Sequence, residues 1–121
     1  ETTPTVKQKM LKATSRNTVR SRSRTGKPTR QLQSAWSDAW GAKDAPEPLA
    51  MPLQGLLSRP PMAKVDKLAE SGHDGAKNLA AYFVGQAVGL MNTEQSARSV
   101  VADFMKDYAE AVERLSGTLH E

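Results

Sequence analysis

The chain has 121 residues and a formal net charge of +4. This is room for one small domain and too short for a complete (β/α)8 barrel, which takes roughly 200–250 residues. Cysteine is absent, which excludes a disulfide scaffold, a cysteine nucleophile and a thiolate metal site. The charge is uneven: residues 1–30 carry nine basic residues and one acidic residue, a net of +8, and the remainder nets −4. A basic arm on an acidic body points to a nucleic acid, a membrane surface or an anionic ligand.

In chain order, Pro4 suits the first turn of a helix, where its missing N–H has no partner to lose. Val6, Met10 and Leu11 give that helix a weak apolar stripe. Asn17-Thr18-Val19 leads into Arg20-Ser21-Arg22-Ser23-Arg24, which as an extended strand would set Arg20, Arg22 and Arg24 on one face. Thr25-Gly26-Lys27-Pro28 reads as a turn. Leu32, Ala35, Trp36, Ala39 and Trp40 recur at helical spacing, so a helix is predicted from Pro28 to Trp40, stopping at Gly41.

Five prolines between Ala42 and Pro61 predict an irregular connector, and the leucines within it require that it pack on something. Met62–Ser71 reads as a short helix and Gly72-His73-Asp74-Gly75 as a loop. Ala76–Met91 is predicted as a buried helix; its apolar run, Leu79 to Met91, is too short to span a bilayer. With no signal-like segment, a cytoplasmic protein without membrane partners is expected. Asn92 with Gln95 resembles a capping box. Ala97, Val100, Val101, Phe104, Tyr108, Val112 and Leu115 then share one face of a last helix ending at Gly117.

Three groups of residues could carry chemistry. Arg16, Arg20, Arg22, Arg24, Lys27 and Arg30 could neutralise phosphates as a small nucleic-acid-binding module over residues 16–30. No aromatic residue for base stacking lies among them, so nucleic acid is the weaker alternative to a solvated face neutralised by acids such as those of the last helix. Gly85-Gln86-Ala87-Val88-Gly89 places small residues four apart. They could serve close packing, or leave the backbone of Gly85 and the amide of Gln86 open to a cofactor. His73 beside Asp74 could be a base with its orienting partner, or an exposed histidine. His120 lies by the terminus, and two histidines without cysteine make no metal site. No P-loop, Rossmann fingerprint or nucleophile elbow is present. The short amphipathic pieces cannot cover the connector and the 79–91 run, as if cut from a larger domain.

Two motifs carry a resemblance. Asn17-Thr18-Val19, followed by Gly26-Lys27-Pro28-Thr29-Arg30, resembles the "Asp-Thr-Val … Gly-Arg-Pro-Ala-Arg" stretch of the nitronate monooxygenases, formerly 2-nitropropane dioxygenases. Gly85-Gln86-Ala87-Val88-Gly89-Leu90 is similar to the same family's "Gly-Gln-Ser-Ala-Gly-Leu". The helix from Asn92 resembles its terminal helix. Order and spacing agree over essentially the whole chain.

The resemblance implies the C-terminal part of an FMN-binding (β/α)8 TIM barrel, which in isolation would be mainly α with a short β segment. Residues 1–60 would form an inserted small α/β segment and proline-rich connector, and 61–121 the closing helices. It implies oxidation of alkyl nitronates with O2 to a carbonyl compound and nitrite, or a related NAD(P)H-dependent flavin reductase, acting on a small-molecule substrate. Gly85 and Gln86 would lie near FMN, with Ala87 replacing the family's serine. Glu1 resembles the acidic residue after the family's glycine-rich phosphate strand. That strand and the active-site histidine would precede it, leaving the catalytic residues of this chain unassigned. The chain's expected partner is the remaining N-terminal part of the barrel, and alone it is expected to be inactive.

Overall fold

A computed structural model describes residues 2–119; Glu1 and His120 lie outside the described residues. It is mainly helical with one two-stranded sheet, as expected. Helix α1 spans Pro4–Lys12, with Thr3 capping it and Pro4 in the first turn. A 3-10 turn, Ser15–Asn17, leads into β1, Thr18–Ser21, which pairs antiparallel with β2, Thr29–Leu32. The turn between them holds Gly26 at φ +84°, where a Cβ would lie 2.5 Å from Leu49 O. Only glycine fits both conditions.

Helix α2 spans Ala35–Trp40, α3 Leu53–Glu70, α4 Asp74–Leu79 and α5 Ala97–Thr118, and a second 3-10 turn, Gln86–Leu90, lies between α4 and α5. Six expectations are corrected here. The predicted Pro28–Trp40 helix divides into β2 and α2, because residues 29–32 pair with β1 and turn Leu32 into the core. The connector is irregular only as far as Pro52, and the short 62–71 helix is the second half of α3, which runs through Pro60 and Pro61. Each proline removes one helical hydrogen bond. The carbonyls released belong to Leu56 and Leu57, both exposed residues that water can satisfy. The predicted 76–91 helix stops at Leu79, beyond which the chain is extended. The last helix is capped by Ser96, whose Oγ accepts the Ser99 N–H, and not by Asn92. It also continues past Gly117 to Thr118.

The core joins Val6, Ala13, Leu32, Ala69, Ala76, Ala80, Ala81 and Val88. Most of these are alanines, and each contributes less than the ~1.5–3 kcal/mol of a buried larger side chain. A polar seam supports it. Gln54, 0% exposed, donates to Ser23 O at 2.7 Å and accepts from the Leu49 N–H. Ser58 Oγ donates to Arg24 O at 2.6 Å, and Trp36 Nε1 donates to Ser23 Oγ at 3.1 Å. These bonds tie the β1–β2 turn to α3.

Among the described residues four hydrophobic side chains larger than alanine are buried (Val6, Leu32, Met62 and Val88), against eighteen exposed ones. In α5 no residue is buried, so the predicted face of Val100, Val101, Phe104, Tyr108, Val112 and Leu115 lies open. An apolar surface on this scale is characteristic of a surface made to be covered. No helix of the described residues is long and apolar enough to cross a membrane.

Candidate functional site

Tyr82, Phe83 and Val84 extend the free edge of β2. Leu32 N–H donates to Tyr82 O at 3.1 Å, Val84 N–H donates to Arg30 O at 3.2 Å, and Gln31 bridges to Phe83. Aromatic and β-branched residues suit this pleated position, which is why the run leaves the helix. Gly85 follows and caps the 3-10 turn, accepting the Val88 N–H at 3.2 Å. Val88 is 0% exposed and anchors that turn in the core.

The two glycines of the motif differ. A Cβ on Gly89 would lie 2.7 Å from Ser15 N, so Gly89 serves close approach of the two 3-10 turns. A Cβ on Gly85 would meet nothing within 4 Å. The packing account therefore holds for Gly89 only, and Gly85 and Gln86 both face outward, exposed. Neither lines either of two hollows. One hollow of about 220 Å³ lies among Lys7, Met10, Leu11, Met91 and Glu94, and another of about 260 Å³ among Thr25, Met51, Pro52, Gly55 and Arg59.

The arginines do not share one strand face. Strand β1 ends at Ser21, so Arg22 and Arg24 belong to the turn. Arg22 Nε donates to Gly26 O at 3.0 Å, and its guanidinium lies 3.7 Å from Glu47. Arg24 Nη1 donates to Ala81 O at 3.2 Å, and its guanidinium sits 5.3 Å from the Phe83 ring centroid. Burial lowers the proton affinity of Arg24, and the nearby Asp66 carboxylate opposes that shift. Asp66 itself is pushed up by burial, with Arg24 pulling the other way and Glu70 adding to the rise.

Arg20 stands directly opposite Arg30 in the ladder. Arg30 Nη1 donates to Thr18 Oγ1 at 3.0 Å. Among the described residues no carboxylate lies within 4.0 Å of Arg16, Arg20 or Arg30. The expected neutralisation by the last helix is therefore not found: its ion pair is internal, Lys106 with Glu110. Closest to that expectation is Lys7 with Glu94, 3.1 Å apart, just ahead of α5.

His73 is not set up as a base. Its Nδ1 accepts the Ala76 N–H at 3.2 Å and caps α4, and Asp74 pairs with Lys77 at 3.1 Å. Of the expected 72–75 loop, Gly72 and His73 remain loop, and Asp74 and Gly75 are the start of that helix. Among the described residues no group of three metal-ligating side chains is present. Sequence reasoning missed the Arg20–Arg30 opposition, which depends on strand register, and the buried Gln31, 1% exposed with neither amide atom hydrogen-bonded. Strict alternation along Thr29–Leu32 would have placed Gln31 and Leu32 on opposite faces, but only the three-dimensional packing buries both.

Comparison with known proteins gives one informative relative. The chain is 49% identical over 117 residues to a Mycobacterium tuberculosis (strain ATCC 25618 / H37Rv) protein named "Putative monooxygenase Rv1533". The match covers 97% of this chain and 31% of that protein, so the chain spans about a third of the length of the curated relative it matches. No family model matches the chain, and no solved structure matches it. The similarity places the chain beside a monooxygenase-named protein, and it is mainly helical with a small sheet, as a portion of a longer fold would be.

Proposed function

We infer that this chain is the C-terminal part of an FMN-dependent oxidoreductase of the nitronate monooxygenase type. The observation that carries this reading is the match over 97% of this chain to 31% of a protein named as a monooxygenase. The two motifs and the open apolar faces support it. A segment built to close a barrel must present unpartnered hydrophobic surface until its partner is in place, and α5 with Leu53, Leu56 and Leu57 does so. The partner would be the N-terminal part of the same barrel. The nucleic-acid reading gains nothing from the structure, because Arg22 and Arg24 are committed to internal carbonyls.

On this reading Gly85 and Gln86 would meet the flavin. At Gly85 the backbone is uncovered on the side where a Cβ would point, so a planar ring could approach closely there. Gln86, exposed beside it, would offer amide donors and an acceptor. When bound, FMN would supply the electron-transfer chemistry that connects an alkyl nitronate to O2, yielding a carbonyl compound and nitrite. The chain's own part would be to leave room for the ring, orient it and exclude water from it.

The test is oxygen uptake and nitrite release by the full-length protein given an alkyl nitronate, beside a Gly85→Val variant. Turnover by the wild type and a large loss in Gly85→Val, with unchanged circular dichroism, is expected. Flavin retention without nitrite formation would limit the reading to a related flavin reductase, and absence of both would overturn it.

A further inference from the structure

Direct opposition of two like charges in an antiparallel ladder is destabilising, and Arg20 and Arg30 adopt it with no carboxylate within 4.0 Å among the described residues. Four other cations of the arm have partners, Arg24 on Ala81 O among them, whereas Lys12, Arg16 and Lys27, like Arg20 and Arg30, have no carboxylate within 4.0 Å among the described residues. Lys7 meets Glu94, Arg22 meets Glu47, and Lys9 Nζ donates to Ala80 O at 2.6 Å. Arg20 and Arg30 share a sheet face with Thr18 and Leu32. Leu32 turns that face into the core, while Arg20 is exposed and Arg30 half-buried. Arg30 is oriented by its bond to Thr18 Oγ1. Its own carbonyl holds Val84, the residue before Gly85.

We propose that Arg20 and Arg30 together bind a phosphate-type oxoanion, carried by a small-molecule ligand, on the sheet face they share with Val84. Opposed residues in such a ladder have Cβ atoms about 5 Å apart, close enough for two guanidiniums to converge on one anion. A carboxylate is satisfied by one guanidinium fork, whereas a phosphate offers enough oxygens to occupy two. The anion would remove the repulsion that the empty pair carries. This rests on the register and charge of the sheet, and it stands whether or not the flavin reading does.

The experiment is a titration of the full-length protein, without added flavin, with inorganic phosphate and separately with acetate, followed by calorimetry and by thermal denaturation. Wild type should bind phosphate saturably and more tightly than acetate, and its midpoint should rise with phosphate. Arg20→Gln, at an exposed position, should weaken phosphate binding about tenfold or more. Arg20→Glu places a carboxylate opposite Arg30, so it should raise the midpoint without phosphate and abolish the response to phosphate. Arg98→Gln, on α5, should leave binding within about twofold. Phosphate bound equally well by wild type and Arg20→Gln, acetate bound as tightly as phosphate, or no saturable binding by wild type would each overturn the proposal.

Discussion

Gly85 and Gly89 sit four positions apart and answer to different constraints. At Gly89 a methyl group would meet the Ser15 backbone at 2.7 Å, and backbone cannot swing aside as a long side chain can. Gly89→Ala should therefore cost about 1–3 kcal/mol, while Gly85→Ala should stay within about 0.5 kcal/mol; urea denaturation of the two variants checks both. Gln31 carries a different burden, a buried amide with neither nitrogen nor oxygen paired. Gln31→Met keeps the length and removes the unpaired groups, so a gain of about 1–3 kcal/mol is expected in the same assay. Asp66 sets a pH dependence. Burial raises its folded pKa, so the folded state holds that proton more tightly than the unfolded chain does. Stability should then fall as pH rises from about 4, the ordinary aspartate range, through the raised folded value. Asp66→Asn should flatten this stretch of the stability–pH curve, and an unchanged slope would contradict the assignment.

Among the elements, what the sequence made legible is what local chemistry decides. Pro4 opens α1, Gly26 permits the β1–β2 turn, and the apolar period of α5 survives in the structure. What it hid is what neighbours decide. Residues 76–91 have a helical composition, yet Ala80 and Ala81 fill fully buried positions and Tyr82–Val84 complete the edge of β2. Tandem prolines normally end a helix, but α3 keeps its course because the carbonyls they release lie on exposed residues. For the candidate site, Gly85 and Gln86 were visible as a motif, whereas the Arg20–Arg30 pair needs the ladder register to be seen at all. Helix α5 has no buried residue, and beyond its backbone ladder and cap it has the exposed Lys106–Glu110 pair and a Gln95–Asp103 hydrogen bond. Hydrogen exchange on the 121-residue chain should show α5 amides opening far more readily than those of α3 around Met62 and Ala69. Equal protection of the two helices would mean that α5 is covered by something other than a missing partner.

At the scale of the whole molecule, exposed apolar surface outweighs buried. Eighteen exposed hydrophobic side chains against four buried ones larger than alanine is a poor arrangement for a domain that stands alone. It is the expected arrangement for a third of a longer protein, the share of the relative that the chain matches. On the proposed reading, the same faces would become interior once joined to the rest of the protein, and Gly85 would border the flavin. Whether these residues complete a flavin site is read most directly from the visible absorption spectrum of the full-length protein after exhaustive desalting. A bound flavin spectrum at about one FMN per chain is expected, lost on Gly85→Val, whereas a well-folded full-length protein that retains no flavin and takes none up from solution would rule the site out.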